Sequence, residues 1–186
     1  MVGQHGKPAK GIGLDAYPLG VALAARLPHT KTNDVGEYRF EHIPWWGKYS
    51  VYAEDEDAGY SLFSTREGHT DPQEVELTPD HPEAEMKLFL PPKAGFLHIC
   101  LTDRRTGKAI TGMRVTVAPN ESPELQMFSM SCHSNRIILI PPDKLLLLHV
   151  TSDGYREWDE SAGRGKPLYL ASGARTTLDI QLDPLE

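Results

Sequence analysis

Apolar and polar residues alternate along several short stretches of this chain. In GFLHICLTD (95–103), Leu97, Ile99 and Leu101 alternate with His98, Cys100 and Thr102; in TTLDIQL (176–182), Leu178, Ile180 and Leu182 alternate with Asp179 and Gln181. A period of two sends successive side chains to opposite faces of a strand, so each stretch reads as a strand half buried on one sheet face. Met113, Val115 and Val117 keep the same period, as do Met86, Leu88 and Leu90. In the strand expected over Lys48 to Ala53, Tyr49, Val51 and Ala53 fall on one face, with Ser50, Tyr52 and Glu54 on the other. Turn signals such as TGK, DVGEY, SDGY and ASGA separate these runs at the spacing of a sandwich. Helical character is confined to LGVALAARL (19–27), where Pro18 and Pro28 limit any helix to a short piece. The expected fold is all-β.

The chain also aligns with itself. GKPAKGIGLDAYP (6–18) lies over GKAITGMRVTVAP (107–119), and YRFEHIP (38–44) matches the end of RIILIP (136–141). DAGY (57–60) lies over SDGY (152–155), and EVELTPDHPEAEMKLFLPP (74–92) follows PLYLASGARTTLDIQLDP (167–184) in the same order. Order-preserving self-similarity points to two tandem copies of one unit, with the insertions in loops. The expected boundary lies in LPPKAG (90–95), giving domains 1–92 and 93–186.

Several of these motifs together, DRRTGKAITG (103–112), TNDVGEYRF (32–40), IPWWGKYSVYA (43–53) and the Gly-Tyr corners, resemble the carboxypeptidase regulatory-like domain. The resemblance implies two tandem Ig-like, prealbumin-like antiparallel β-sandwich domains. It also implies a non-catalytic accessory module of a secreted or envelope protein, which spaces, stabilises or docks other parts. The second copy opens with GFLHICLTDRR ahead of its TGK turn, whereas the first has only MVGQH ahead of GKPAKG. The first copy is therefore expected to lack most of its opening strand, leaving an unpaired edge. The simplest expectation is that this strand is encoded upstream; a strand donated by another chain is the alternative.

Composition narrows the function. Gly 16 and Pro 15 among 186 residues suit a turn-rich β chain. No stretch approaches the ~18 apolar residues of a membrane-spanning helix, and MVGQHGKPAKGIG holds no apolar core of a signal peptide. The net charge is −7, and residues 1–92 carry 8 Lys and Arg against 15 Asp and Glu, while residues 93–186 carry 11 of each. Neither half offers the clustered basic face that nucleic acid requires, so no nucleic-acid partner is expected.

No cofactor, metal or catalytic residue is expected either. Cys100 and Cys132 lack C-x-x-C spacing, so they read as free or partly buried thiols rather than zinc ligands, with a disulfide left open. The run Glu54, Asp55, Glu56, Asp57 lacks the spacing of a calcium loop and reads as a solvated acidic loop. The eight histidines show no H-x-H or H-x-x-x-H spacing, and His98 and His149 fall opposite apolar strand faces. A hydroxyisourate hydrolase would end in Tyr-Arg-Gly-Ser, an intradiol dioxygenase needs a close His pair, and a serine hydrolase needs a G-x-S-x-G turn; none occurs.

The conspicuous residues are Trp45 and Trp46, in the turn before a strand. Two neighbours cannot both point inward, so at least one is expected to be exposed. With Tyr52 they form the candidate contact set, for a protein partner or neighbouring copy first and a polysaccharide second; capping of the core is the plain alternative. Trp158 aligns with Phe63, and an aromatic in both places reads as packing.

Overall fold

The computed structural model of the chain describes residues 7–20, 27–44, 46–60, 74–134, 136–159 and 166–185. Two compact units divide it, Met1–Lys93 and Ala94–Glu186. The described residues are all-β, and among them no helix is long and apolar enough to cross a membrane. The central part of LGVALAARL and the whole of the Phe63 region lie outside the described residues.

The first unit contains β1 (Gly13–Pro18), β2 (His29–Lys31), β3 (Gly47–Ala53) and β4 (Glu74–Leu77), joined antiparallel in the order β2-β1-β3-β4. Leu14 and Ala16 of β1 and Tyr49, Val51 and Ala53 of β3 point to one face, where Tyr60, Leu88 and Leu90 complete a buried cluster. Tyr38, Phe40, Ile43 and Met86 pack against that cluster without forming strands. Met86, Leu88 and Leu90 keep the alternating burial expected of a strand, with Lys87 and Phe89 exposed between them, but no ladder forms along 81–88.

The second unit is a β-sandwich. One sheet joins β10 (Trp158–Asp159), β9 (Leu145–Thr151), β6 (Gly112–Pro119) and β7 (Phe128–His133) in that order, with β11 (Leu168–Tyr169) also paired to β9. The other has the order β12-β5-β8, from β12 (Arg175–Leu182), β5 (Gly95–Asp103) and β8 (Ile137–Ile140). Leu97, Ile99 and Leu101 of β5 are 0–2% exposed and meet Val115, Val117, Leu146, Leu148 and Val150 from the opposite sheet. Each such fully buried aliphatic side chain contributes about 1.5–3 kcal/mol of transfer free energy. Trp158, 8% exposed, belongs to this core. Of the sheet pairings, β5 with β12 is parallel, because the chain leaves β5, crosses the other sheet and returns in the same direction.

The pairings in the two units correspond. Leu14 faces Ala53 and Ala16 faces Val51 across β1 and β3; Val115 faces Val150 and Val117 faces Leu148 across β6 and β9. Pro18 faces Tyr49 as Pro119 faces Leu146. Val75 faces Tyr49 across β4 and β3 as Leu168 faces Leu146 across β11 and β9. Thr30 faces Leu14 as Met130 faces Val115. A slip of one residue would turn every side chain of a strand to the opposite face, so register is pinned by which residues must be buried.

Candidate interaction surface

The turn His42 to Gly47 leads into β3. His42 holds φ 55° and Gly47 φ 135°, so the backbone enters the strand through two positions in the left-handed region, where glycine is the least strained residue. Trp46 lies between them at 58% exposure, its indole on the surface. Trp45 lies outside the described residues.

Tyr52 lies on the other face of β3, where the strand pattern puts it, but at 8% exposure it is buried. Tyr17 of the neighbouring strand stands edge-on against it, with ring centroids 5.5 Å apart and planes at 76°. This face of β3 is therefore covered, not open: Ser50 is 1% exposed, and its Oγ has no partner among the described residues. The cover comes in part from a cross-strand aromatic, which the alternation along β3 alone does not reveal. Of the two contact candidates among the described residues, Trp46 lies at the surface and Tyr52 is buried.

The acidic run is mostly turn architecture. Asp55 accepts the Gly13 N–H at 3.0 Å through Oδ2 and the Ala58 N–H at 3.0 Å through Oδ1, and its backbone exchanges both bonds with Tyr60. Glu54 accepts the Tyr17 hydroxyl at 2.5 Å. Burial, and then the charge of nearby Asp15, raise the Glu54 pKa, while the Tyr17 bond pulls it the other way. Asp15 in turn meets His29 Nδ1 at 2.8 Å. Glu56 and Asp57 are exposed at the tip. Among the described residues no three His, Cys, Asp or Glu side chains are gathered as a metal would need.

A second turn-capping acid escaped the sequence reading. Asp103, 7% exposed at the end of β5, accepts the N–H groups of Arg105 and Thr106 at 2.8 Å each, and the Tyr155 hydroxyl at 3.2 Å. Hydrogen bonding from the Thr106 backbone, ahead of that from Arg105 and Tyr155, holds its carboxyl below the usual range. Its signal was present in the Asp-x-x-Thr-Gly turn and in the Gly-Tyr corner that supplies Tyr155.

On the outer face of the β12-β5-β8 sheet, Phe96, His98, Ile137, Arg175, Thr176 and Thr177 line a shallow open groove. The Arg175 guanidinium sits 4.0 Å from the Phe96 ring centre, shielding a ring that would otherwise face water. Cys100 lies beside His98, Sγ to Nδ1 3.8 Å, and both Cys100 and Cys132 are free thiols. Burial raises the Cys132 thiol pKa, and Arg136 partly offsets that. His149 stands 3.6 Å from both Glu157 and Asp159 at a partly exposed strand face.

No protein-family model matches the chain, and no curated protein matches it. Among solved structures, the Bacillus anthracis TIE protein overlaps 99% of this chain at 14% identity and a TM-score of 0.40. This chain spans 33% of that protein's length. A C-terminal fragment of the pilus adhesin SpaC from Lactobacillus rhamnosus GG overlaps 100% of this chain and 95% of its own, at 11% identity and a TM-score of 0.35. GBS52, the minor pilin of Streptococcus agalactiae, overlaps 97% and 86%, at 15% identity and 0.33. Overlaps this loose carry no argument about what the chain does; the fold stands on its own sheets and registers.

Proposed function

We propose that this chain is a non-catalytic structural and protein-interaction module built from two copies of one sandwich unit, serving as an accessory part of a secreted or envelope assembly. The observation that carries the reading is the shared register: β1 and β3 pair residue for residue as β6 and β9 do, down to Leu14 opposite Ala53 and Val115 opposite Val150. Repetition of one packed unit is how chains build spacers and arrays, in which each unit supplies its own core. The polar groups that most resemble a reactive site support the same reading, since Asp55 is occupied by the Ala58 N–H of its own turn and the Gly13 N–H of β1, and Asp103 by two backbone N–H groups of its own turn.

The contact point in this reading is Trp46, a large, rigid, exposed side chain of the kind that anchors protein interfaces. The test is affinity capture by the immobilised full chain, alongside Trp46→Ala, with fluorescence titration against soluble polysaccharides in parallel. A protein retained by the wild-type chain and lost with Trp46→Ala supports the reading. A blue shift with a polysaccharide, abolished by Trp46→Ala, replaces it with a glycan-binding role, and turnover of an ester or glycoside substrate by the purified chain overturns it.

A further inference from the structure

The groove on the outer face of the β12-β5-β8 sheet holds a cation that the described residues leave unpaired. Arg175 opens β12 directly after the turn 171–174, and the Phe96 N–H donates to the Ala174 carbonyl at 2.8 Å, fixing the start of β12 against β5. Arg175 and Phe96 are register partners across that parallel pair, and the guanidinium carbon lies over the ring, 4.0 Å from its centre. Among the described residues the Arg175 side chain forms no ion pair or hydrogen bond, so its N–H donors are open to a ligand.

The surroundings suit an anion with an apolar neighbour. None of the six residues lining the groove is acidic, and Asp179, the nearest acid by register on this face, stands opposite Cys100, one outward pair beyond Thr177 and His98. Thr177 adds an exposed residue with a hydroxyl, and across His98 on β8 lies Ile137, 47% exposed. A guanidinium is planar and meets a carboxylate through two parallel bonds, and stacking on an aromatic holds it in place beforehand. Preorganisation of this kind lowers the cost of association.

Geometry sets the spacing of the ligand. Arg175 and Ile137 are two strands and one outward pair apart, about 12 Å between backbones from a strand separation of ~4.8 Å and a rise of ~3.3 Å per residue. An extended chain covers that span in about three to four residues. A repeating acidic glycan, with a carboxylate on every sugar, calls for a row of cations; one guanidinium facing an aliphatic side chain suits an isolated carboxylate with an apolar neighbour.

We infer that this groove is a carboxylate-recognition site for an extended segment of a protein partner: an aspartate or glutamate pairs with Arg175, and an aliphatic side chain three residues away packs on Ile137. This rests on the protein-interaction reading above and names the partner's chemistry, at a surface separate from Trp46.

The test titrates the isotopically labelled full chain with the capped hexapeptide Gly-Glu-Thr-Thr-Leu-Gly, followed by nuclear magnetic resonance. The expected result is saturable shifts at the amides of 96–98, 137–139 and 175–177 and at the Arg175 Nε–H, with a Kd of about 1 mM or tighter. Glutamine in place of the peptide's glutamate, or Arg175→Gln in the chain, should weaken binding about tenfold, the effect of losing a charge-assisted pair. Arg175→Lys keeps the charge without the planar fork and should still bind several-fold more weakly than the parent. Alanine in place of the peptide's leucine should cost about threefold, and Trp46→Ala nothing.

No saturable shift at these amides with ~10 mM peptide overturns the proposal, as does equal binding of the glutamine peptide or full affinity in Arg175→Gln. Saturable binding of polygalacturonate at the same amides, without binding of the peptide, assigns the groove to acidic glycans and overturns the protein partner. Capture through Trp46 uses a residue of the other unit, so failure of that experiment and failure of this titration are distinguishable.

Discussion

Gly95, where β5 opens, leaves little room for a side chain. A Cβ built there lies 2.7 Å from Leu170 Cβ, 3.0 Å from Leu170 Cδ1 and 3.3 Å from Ile140 Cγ1. Carbon atoms rest about 3.5–4.0 Å apart, so Gly95→Ala intrudes by roughly 0.8 Å on an atom fixed to the backbone. The side chain of Leu170 cannot rotate its own Cβ away, and β5 or the Leu170 segment must move. Overpacking of this kind costs about 1–3 kcal/mol, and loss of glycine's freedom in the unfolded chain returns about 0.4–1. The net expectation is a destabilisation of about 1–2 kcal/mol, or ~5–15 °C in the melting temperature of a unit this size. Gly112→Ala is the matched control: nothing lies within 4 Å of its Cβ and its φ is ordinary, so it should stabilise by about 0.4–1 kcal/mol. Urea unfolding read by the buried Trp158, with Trp45 and Trp46 replaced by phenylalanine, measures both. Leu170→Ala should not rescue Gly95→Ala, because the closest contact is to Cβ. Gly95→Ala within about 0.5 kcal/mol of the parent, or rescue by Leu170→Ala, would refute the packing described.

Three further outcomes are expected. Asp103 has a folded-state pKa below its unfolded value, so the stability it contributes is present above the unfolded pKa and is lost as pH falls through the folded one. Asp103→Asn should flatten the acid limb of the second unit's stability profile, measured by thermal melts across pH 2–6 on the order of the carboxylate range. Tyr38 is pushed up to about 12 by burial, above the ordinary tyrosine value of 10.0, so the stability tied to its protonated form is complete below pH 10 and declines as pH rises toward 12. Tyr38→Phe should remove that alkaline decline and cost about 0.5–1.5 kcal/mol for the lost bond to Met86, read by urea unfolding. Thiol titration under denaturing conditions should count two free cysteines, and Cys132 should react more slowly in the native state than after unfolding because burial disfavours its thiolate.

Much of this fold was legible because strand alternation reports burial directly. Leu97, Ile99 and Leu101 announced the inner face of β5, and all three are interior. Met113, Val115 and Val117 did the same for β6. Self-alignment placed Leu14 over Val115 and Val75 over Leu168, and those residues hold matching places in their ladders. What alternation could not supply was anything contributed by a different strand. Tyr52 read as outward and available, yet Tyr17 from β1 covers it. Met86, Leu88 and Leu90 carry a strand's pattern without a strand's ladder, because a ladder needs a partner and the pattern records only which side faces the core. The acids of the Glu54 run were read as solvated, whereas Asp55 is spent on the Ala58 N–H of its own turn and on the Gly13 N–H of β1, a residue distant in sequence. The parallel return of β12 to β5 is a property of the connection between sheets and leaves no local mark.

The central claim is that one strand register is used twice. Cross-strand proton contacts in the isotopically labelled chain, measured by nuclear magnetic resonance, test it most directly. The account predicts contacts between Ala16 and Val51 in one unit and between Val117 and Leu148 in the other, on the core-facing side of each sheet. A shift of one residue in either ladder would contradict it, because the two units would then bury different faces of corresponding strands.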